Sequence, residues 1–167
     1  MIKIERFIGV DPGNFGAIAL FEGNQLISIH DMPIVSMERN GKIKNSMSAQ
    51  QFAFILKDLR IDYACVERVG SMPGQGVSSV FAFGRSAGVI EGVLAALEIP
   101  ITFVTPTKWQ QSMNRGIGKD ASRHRAMELY PSFSDYFKLK KHDGRAEAVL
   151  IGAYGIKLQK GIVNDAR

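Results

Sequence analysis

Four carboxylates in this sequence stand where oxygen ligands could reach a common point. Asp11 closes an apolar run, and Pro12 and Gly13 then end that run and bare the backbone beside it. Glu67 ends the stretch Ala64-Cys65-Val66. Asp143 and Glu147 are spaced i, i+4, so on a helix they share one face. Each acid has an ordinary use: a turn residue at Asp11, a partner for Arg68 at Glu67, a helix cap at Asp143. Glu147 lies between Ala146 and Ala148, an apolar setting that an exposed acid does not need. Brought to one end of a sheet, four acids repel one another and cannot all ionise without a cation. Oxygen-only ligands suit Mg²⁺ or Mn²⁺. Two such ions about 4 Å apart clamp a phosphodiester for in-line attack by water.

Positioning these acids takes two strands and a helix, and the pattern supplies them. Residues 4–11, 15–22 and 25–31 read as three strands joined by tight turns, an antiparallel meander. Residues 36–47 are polar and basic and read as an exposed loop. Ser48 caps a helix carrying Phe52, Ile55, Leu56 and Leu59 at helical spacing. Residues 62–67 form a short buried strand, and the glycine-rich loop 70–76 leads into a long helix at about 79–97. A fifth strand at 100–104 precedes short helices at 105–112 and 120–129. Residues 132–141 are aromatic and basic, and a last helix spans about 143–158. On that helix Ala146, Val149, Leu150 and Ala153 form the expected buried stripe, with Asp143 and Glu147 on its edge. The order is mixed α/β without internal repeats, one domain over residues 1–160, with 161–167 as a flexible tail.

The chain has 167 residues, 46% of them hydrophobic and 22% charged. That composition excludes general disorder. Cys65 is the single cysteine, so neither an internal disulfide nor a multi-cysteine zinc site is available. No signal peptide or membrane-spanning run is expected, and a cytoplasmic location follows as the default. The net charge is +5 and unevenly placed. Residues 1–100 carry nine basic and ten acidic side chains, and residues 101–167 carry twelve and six. Without the four acids above, 21 basic side chains face 12 acidic ones. A basic surface around an acidic centre points to nucleic acid.

The motifs Gly-Val-Asp11-Pro-Gly, Val-Glu67 and His142-Asp143-Gly-Arg-Ala-Glu147-Ala, in this order, resemble those of the RuvC-type Holliday-junction resolvases, the phage-like branch most. The resemblance covers nearly the whole chain. It implies an α/β, ribonuclease-H-like fold: a five-stranded mixed sheet, three antiparallel strands followed by parallel additions, flanked by helices. It implies a homodimer that uses two Mg²⁺ or Mn²⁺ ions per active site to nick four-way and other branched DNA. Asp11, Glu67, Asp143 and Glu147 would be the catalytic, metal-binding carboxylates. The last two acids stand four apart where cellular members space them three apart, so either Asp143 or His142 completes the site. A ribonuclease H acting on RNA–DNA hybrids, or a junction-binding protein without chemistry, are the competing readings.

Around the acids, Met72 and Gln75 lie in a glycine-rich loop suited to close approach to a ligand. Phe81 is a candidate to stack on bases. Lys108, Lys119, Arg123, Lys138, Lys140, Lys141 and Arg145 are candidates to contact phosphates, Lys119 and Arg123 as one helical face. Trp109 reads as a packing residue. Gly84, Gly88 and Gly92 recur every fourth residue and mark a helix face open to close approach, assigned here to a second subunit.

Overall fold

The computed structural model describes residues 5–71 and 74–163. Met72 and residues 164–167 of the expected tail lie outside them. Within the rest of that tail, Val163 packs against the core.

Strands β1 (Arg6–Asp11), β2 (Ala17–Glu22) and β3 (Gln25–Asp31) pair antiparallel, and β6 (Tyr63–Glu67) and β7 (Ile101–Val104) extend the sheet in parallel. The sheet order is β3-β2-β1-β6-β7. The central strand is therefore β1, with β2 antiparallel on one side and β6 parallel on the other. Residues 34–47 form no loop. They make a hairpin, β4 (Ile34–Arg39) and β5 (Lys42–Met47). Its signal is the Asn40-Gly41 pair, whose φ values of 53° and 69° fit a two-residue hairpin turn.

Helices cover both faces of the sheet, and strand periodicity divides the core between them. Ile8, Val10, Ile18, Leu20, Ala64 and Val66 point to one side. There they meet Phe52 and Leu56 of α1 (Ala49–Leu59) and Ile90 and Leu94 of α2 (Val77–Ala96). The Ser48 hydroxyl caps α1 by accepting from the Gln51 amide at 3.3 Å. Phe7, Ala17, Ala19, Phe21 and Cys65 point to the other side. That side holds α5 (Asp143–Gln159), α3 (Pro106–Ser112), α4 (Ala121–Leu129) and the 3-10 turns Pro131–Phe137 and Lys140–His142. Each large apolar side chain fully removed from water in these layers contributes about 1.5–3 kcal/mol.

Helix α5 lies directly on the backbone of β1. A Cβ on Gly9 would fall 2.2 Å from the Ala148 carbonyl oxygen and 2.3 Å from the Gly152 nitrogen. The buried surface is accordingly wider than the expected stripe: every residue from Ala148 to Gly155 is buried. Such a helix is enclosed all round by the sheet and α3, α4 and the 3-10 turns.

Helix α2 is the exposed counterpart. It has 20 residues and a mean hydropathy of 1.3, long and apolar enough by those measures to cross a membrane, contrary to the sequence expectation. Arg85 and Glu91 interrupt it, and Ser86, Ile90 and Leu94 seat it on the sheet.

Candidate active site

Strand alternation decides where Asp11 and Glu67 point. Asp11 shares a face with Phe7 and Gly9, and Glu67 shares one with Cys65, so both face α5. The parallel register pairs Val10 with Val66, which brings the two acids to neighbouring strand ends. Helix α5 runs antiparallel to β1: Gly155 lies over Phe7 and Cys65, Gly152 over Gly9, and Gly144 beside Asp11. Its first two turns therefore deliver Asp143 and Glu147 to the end where the strand acids sit.

Gly144 explains the four-residue spacing. A Cβ there would lie 2.1 Å from the Phe15 carbonyl oxygen and 3.0 Å from Asp11 Oδ2. No side chain fits at that position, so the helical acid before Glu147 stands at 143.

Asp11 and Glu147 each feel other acids of the four. Burial, then Glu147, Glu67 and Asp143, hold the Asp11 carboxyl well above the usual carboxylate range. Glu147 is pushed up to about 7 by burial, then by Asp143 and Glu67, with Ser122 and Arg115 pulling the other way. Burial raises Glu67 against the hydrogen bond it accepts, and raises Asp143 against Arg115 and Arg123. Asp143 Oδ1 is buried without a hydrogen-bond partner among the described residues. Among the described residues no three His, Cys, Asp or Glu side chains are already drawn together as a metal cage. Mutual repulsion, an all-oxygen donor set and an orphaned buried carboxylate oxygen nevertheless fit a hard divalent cation.

Three residues that the sequence pattern did not single out as functional hold these acids. The buried Trp109 Nε1 donates to Glu67 Oε1 at 2.8 Å, so it does more than pack. The Ser122 hydroxyl donates to Glu147 Oε1 at 3.2 Å and accepts from Arg115 Nε at 2.5 Å. Arg115 Nη2 also lies 4.0 Å from Glu147 Oε1. A lone Trp, Ser or Arg carries no spacing signature, and only the fold brings them to the acids.

The remaining candidates divide. Lys119 and Arg123 do not share a helical face. Lys119 precedes the cap residue Asp120, and Arg123 is buried, donating to the Phe137 and Lys138 carbonyls and pairing with Asp120. It braces the 3-10 turns and is not available to a phosphate. Arg145 makes a two-pronged ion pair with Asp31, both contacts at 2.6 Å. Lys138, Lys140 and Lys141 are exposed just before α5, at the acid end, with Lys138 paired to Asp135 at 2.5 Å. Lys108 is half-buried on α3. His142 is buried, its Nδ1 accepts from the Leu139 amide at 3.4 Å, and burial, Arg145 and Lys141 lower its pKa. Gln75 lies just before α2 and Phe81 within its second turn, where Phe81 is 73% exposed. Gly84, Gly88 and Gly92 lie opposite the seated face of α2, and a Cβ on any of them would meet open space.

No protein-family model matches the sequence, and no curated protein matches it. Solved structures do share its shape. Thermus thermophilus RuvC in complex with a Holliday junction substrate superposes with a TM-score of 0.62 at 11% identity, covering 94% of this chain and 96% of that one. The yeast mitochondrial Holliday junction resolvase gives 0.59 at 13% identity, covering 94% and 81%. The fowlpox virus Holliday junction resolvase gives 0.56 at 15% identity, covering 95% and 99%. At these identities the likeness is one of fold: the chain has the ribonuclease-H-like fold of the RuvC-type resolvases, a five-stranded mixed sheet flanked by helices.

Proposed function

We propose that this chain is a metal-dependent endodeoxyribonuclease that resolves four-way and other branched DNA by hydrolysing phosphodiesters. The observation that supports the reading is that Asp11 and Glu67 end neighbouring strands on the face covered by α5, whose first two turns carry Asp143 and Glu147. Structures of similar fold are junction resolvases, one of them bound to its junction.

The four acids would hold two Mg²⁺ or Mn²⁺ ions, which when bound supply a Lewis acid for the phosphate and an activated water. Trp109 occupies one Glu67 oxygen and leaves the other free to turn toward the site. Ser122 does the same for Glu147. Asp143 would give its unpartnered Oδ1 to a cation, and His142 would brace the turn that starts α5. Lys108, Lys119, Lys138, Lys140 and Lys141 would neutralise phosphates, with Gln75 and Phe81 meeting nucleotides near the branch. A homodimer through the Gly84, Gly88 and Gly92 face of α2 would match the two-fold symmetry of a four-way junction.

The test sets a synthetic four-way DNA junction beside linear duplex and RNA–DNA hybrid, each with Mg²⁺ and with EDTA. Paired nicks near the branch point, only with metal, are expected. Cutting of the hybrid alone would make the protein a ribonuclease H, and junction binding without cutting under either metal would remove the enzymatic reading.

A further inference from the structure

Arg145 lies midway between Asp143 and Glu147 in sequence, and on an α-helix it stands roughly 160° round the axis from each. Gly144 is the residue that touches the loop after Asp11. The start of α5 therefore carries its acids on one flank of that contact and Arg145 on the other. On its own flank Arg145 meets the end of the edge strand β3. Its Nε donates to Asp31 Oδ1 and its Nη2 to Asp31 Oδ2, each at 2.6 Å. Asp31 stands in the same cross-strand row as Asp11, because Asp11 pairs with Ala17 and Ala17 with Asp31. Residues of one row project to one face, so Asp31 and Asp11 both rise toward α5, two strands or about 10 Å apart.

An ordinary surface ion pair contributes little. This one has two prongs, which fix orientation as well as distance. The Arg145 side chain is only 24% exposed. Its hydrogen bonds hold the Asp31 carboxyl below the usual carboxylate range against burial, and the charges of His142 and Lys141 add to the pull. Little else ties down this end of α5. The helix start has no side-chain cap, Gly144 has no side chain, and Asp143 Oδ1 has no partner among the described residues. Among the described residues, Arg145 is the one side chain of 143–146 that hydrogen-bonds across to the sheet. On the opposite flank Asp143 and Glu147 face Asp11, and like charges there push the turn outward until a cation offsets them. The pair to Asp31 opposes that roll.

We infer that the Asp31–Arg145 pair sets the roll of α5 and so holds Asp143 and Glu147 over Asp11 and Glu67. Both are positioning residues for the cation site, and Arg145 is not a phosphate contact. The inference rests on the reading of the four acids as a metal-dependent nuclease site, but its effect on the cation can be measured without any DNA.

The probe is Mn²⁺ alone, titrated by calorimetry into wild type, Asp31→Ala, Arg145→Ala, Arg145→Lys and the double variant Asp31→Arg with Arg145→Asp. Charge by itself predicts opposite signs: losing Asp31 weakens cation binding and losing Arg145 tightens it. Positioning predicts the same loss in both alanine variants, about tenfold in Mn²⁺ affinity. The double variant should recover to within about threefold of wild type. Arg145→Lys keeps the charge but not the fork and should fall between wild type and Arg145→Ala. With a four-way junction as substrate, both alanine variants should lower kcat about tenfold and leave KM within about twofold. Both side chains are partly exposed, so melting should stay within a few degrees of wild type. A phosphate contact would act differently: Asp31→Ala would free Arg145 and tighten junction binding, and Arg145→Ala would weaken it. That pattern, or opposite shifts in Mn²⁺ affinity, would overturn the inference. So would unchanged Mn²⁺ affinity in both alanine variants, even with junction cutting intact. If no DNA is cut but both variants lose Mn²⁺ and the double variant recovers it, the positioning role stands and the nuclease reading falls.

Discussion

Glu147 sets the chemistry of the site at the level of single residues. Its carboxyl, 22% exposed, is pushed from 4.5 to about 7. The native carboxyl binds its proton more tightly than the unfolded one, so between those values the native state carries more protons and raising the pH costs stability. The loss is complete above about pH 7 and amounts to about 3 kcal/mol. His142, lowered from 6.5, works in the opposite sense. The difference between wild type and Glu147→Gln therefore isolates the effect. In EDTA, thermal melting should fall for wild type between pH 5 and 8 and fall less for Glu147→Gln, and Mg²⁺ should restore much of the wild-type loss. Trp109→Phe keeps a ring in the core and removes the donor to Glu67. It should cost about tenfold in metal affinity or rate with a small change in melting temperature, read by metal titration of activity. That Asp11 and Glu67 end strands and that Asp143 and Glu147 share a helix was legible in the sequence. Trp109, Ser122 and Arg115 were not, because their role exists only once α3, α4 and α5 are packed.

At the level of elements, glycine decides how close α5 comes to β1. Gly9 and Gly152 let the two backbones touch, and Gly144 lets the start of α5 reach the loop after Asp11. Gly9→Ala would place a methyl group against backbone that cannot step aside. It should destabilise by about 3 kcal/mol or more, lowering the melting temperature by roughly 6–12 °C in a scanning experiment. The strands, α1 and α5 were readable from apolar periodicity and from the Ser48 cap. The hairpin was not, because its alternation is carried by polar residues and the Asn40-Gly41 turn was outweighed by the local charge. Arg123 was misplaced for a related reason: sequence charge suggests solvent, while the fold uses this guanidinium to tie down the carbonyls of a 3-10 turn.

At the level of the whole molecule, exposed lysines precede the acid-bearing start of α5, and an apolar helix is left largely exposed. Gly88→Leu meets open space within the chain, so it should leave the melting temperature of the monomer unchanged. If α2 is the subunit contact, the same change should shift sedimentation toward monomer. Lys140→Ala should reduce the salt dependence of junction binding by about one unit of slope and weaken all DNA alike. The antiparallel meander of the first three strands and the uneven charge were both visible in the sequence, while the strand order β3-β2-β1-β6-β7 was not. The exposure of α2 was not, since apolar helices are ordinarily buried.

The central claim is that the four acids form one cation site. Its most direct test is Mn²⁺ binding by titration calorimetry to wild type, Asp11→Asn, Glu147→Gln and Asp58→Asn, the last an exposed acid on α1. The account predicts that wild type and Asp58→Asn bind alike, while Asp11→Asn and Glu147→Gln each lose at least about tenfold in affinity. Equal Mn²⁺ affinity in all four proteins would contradict it.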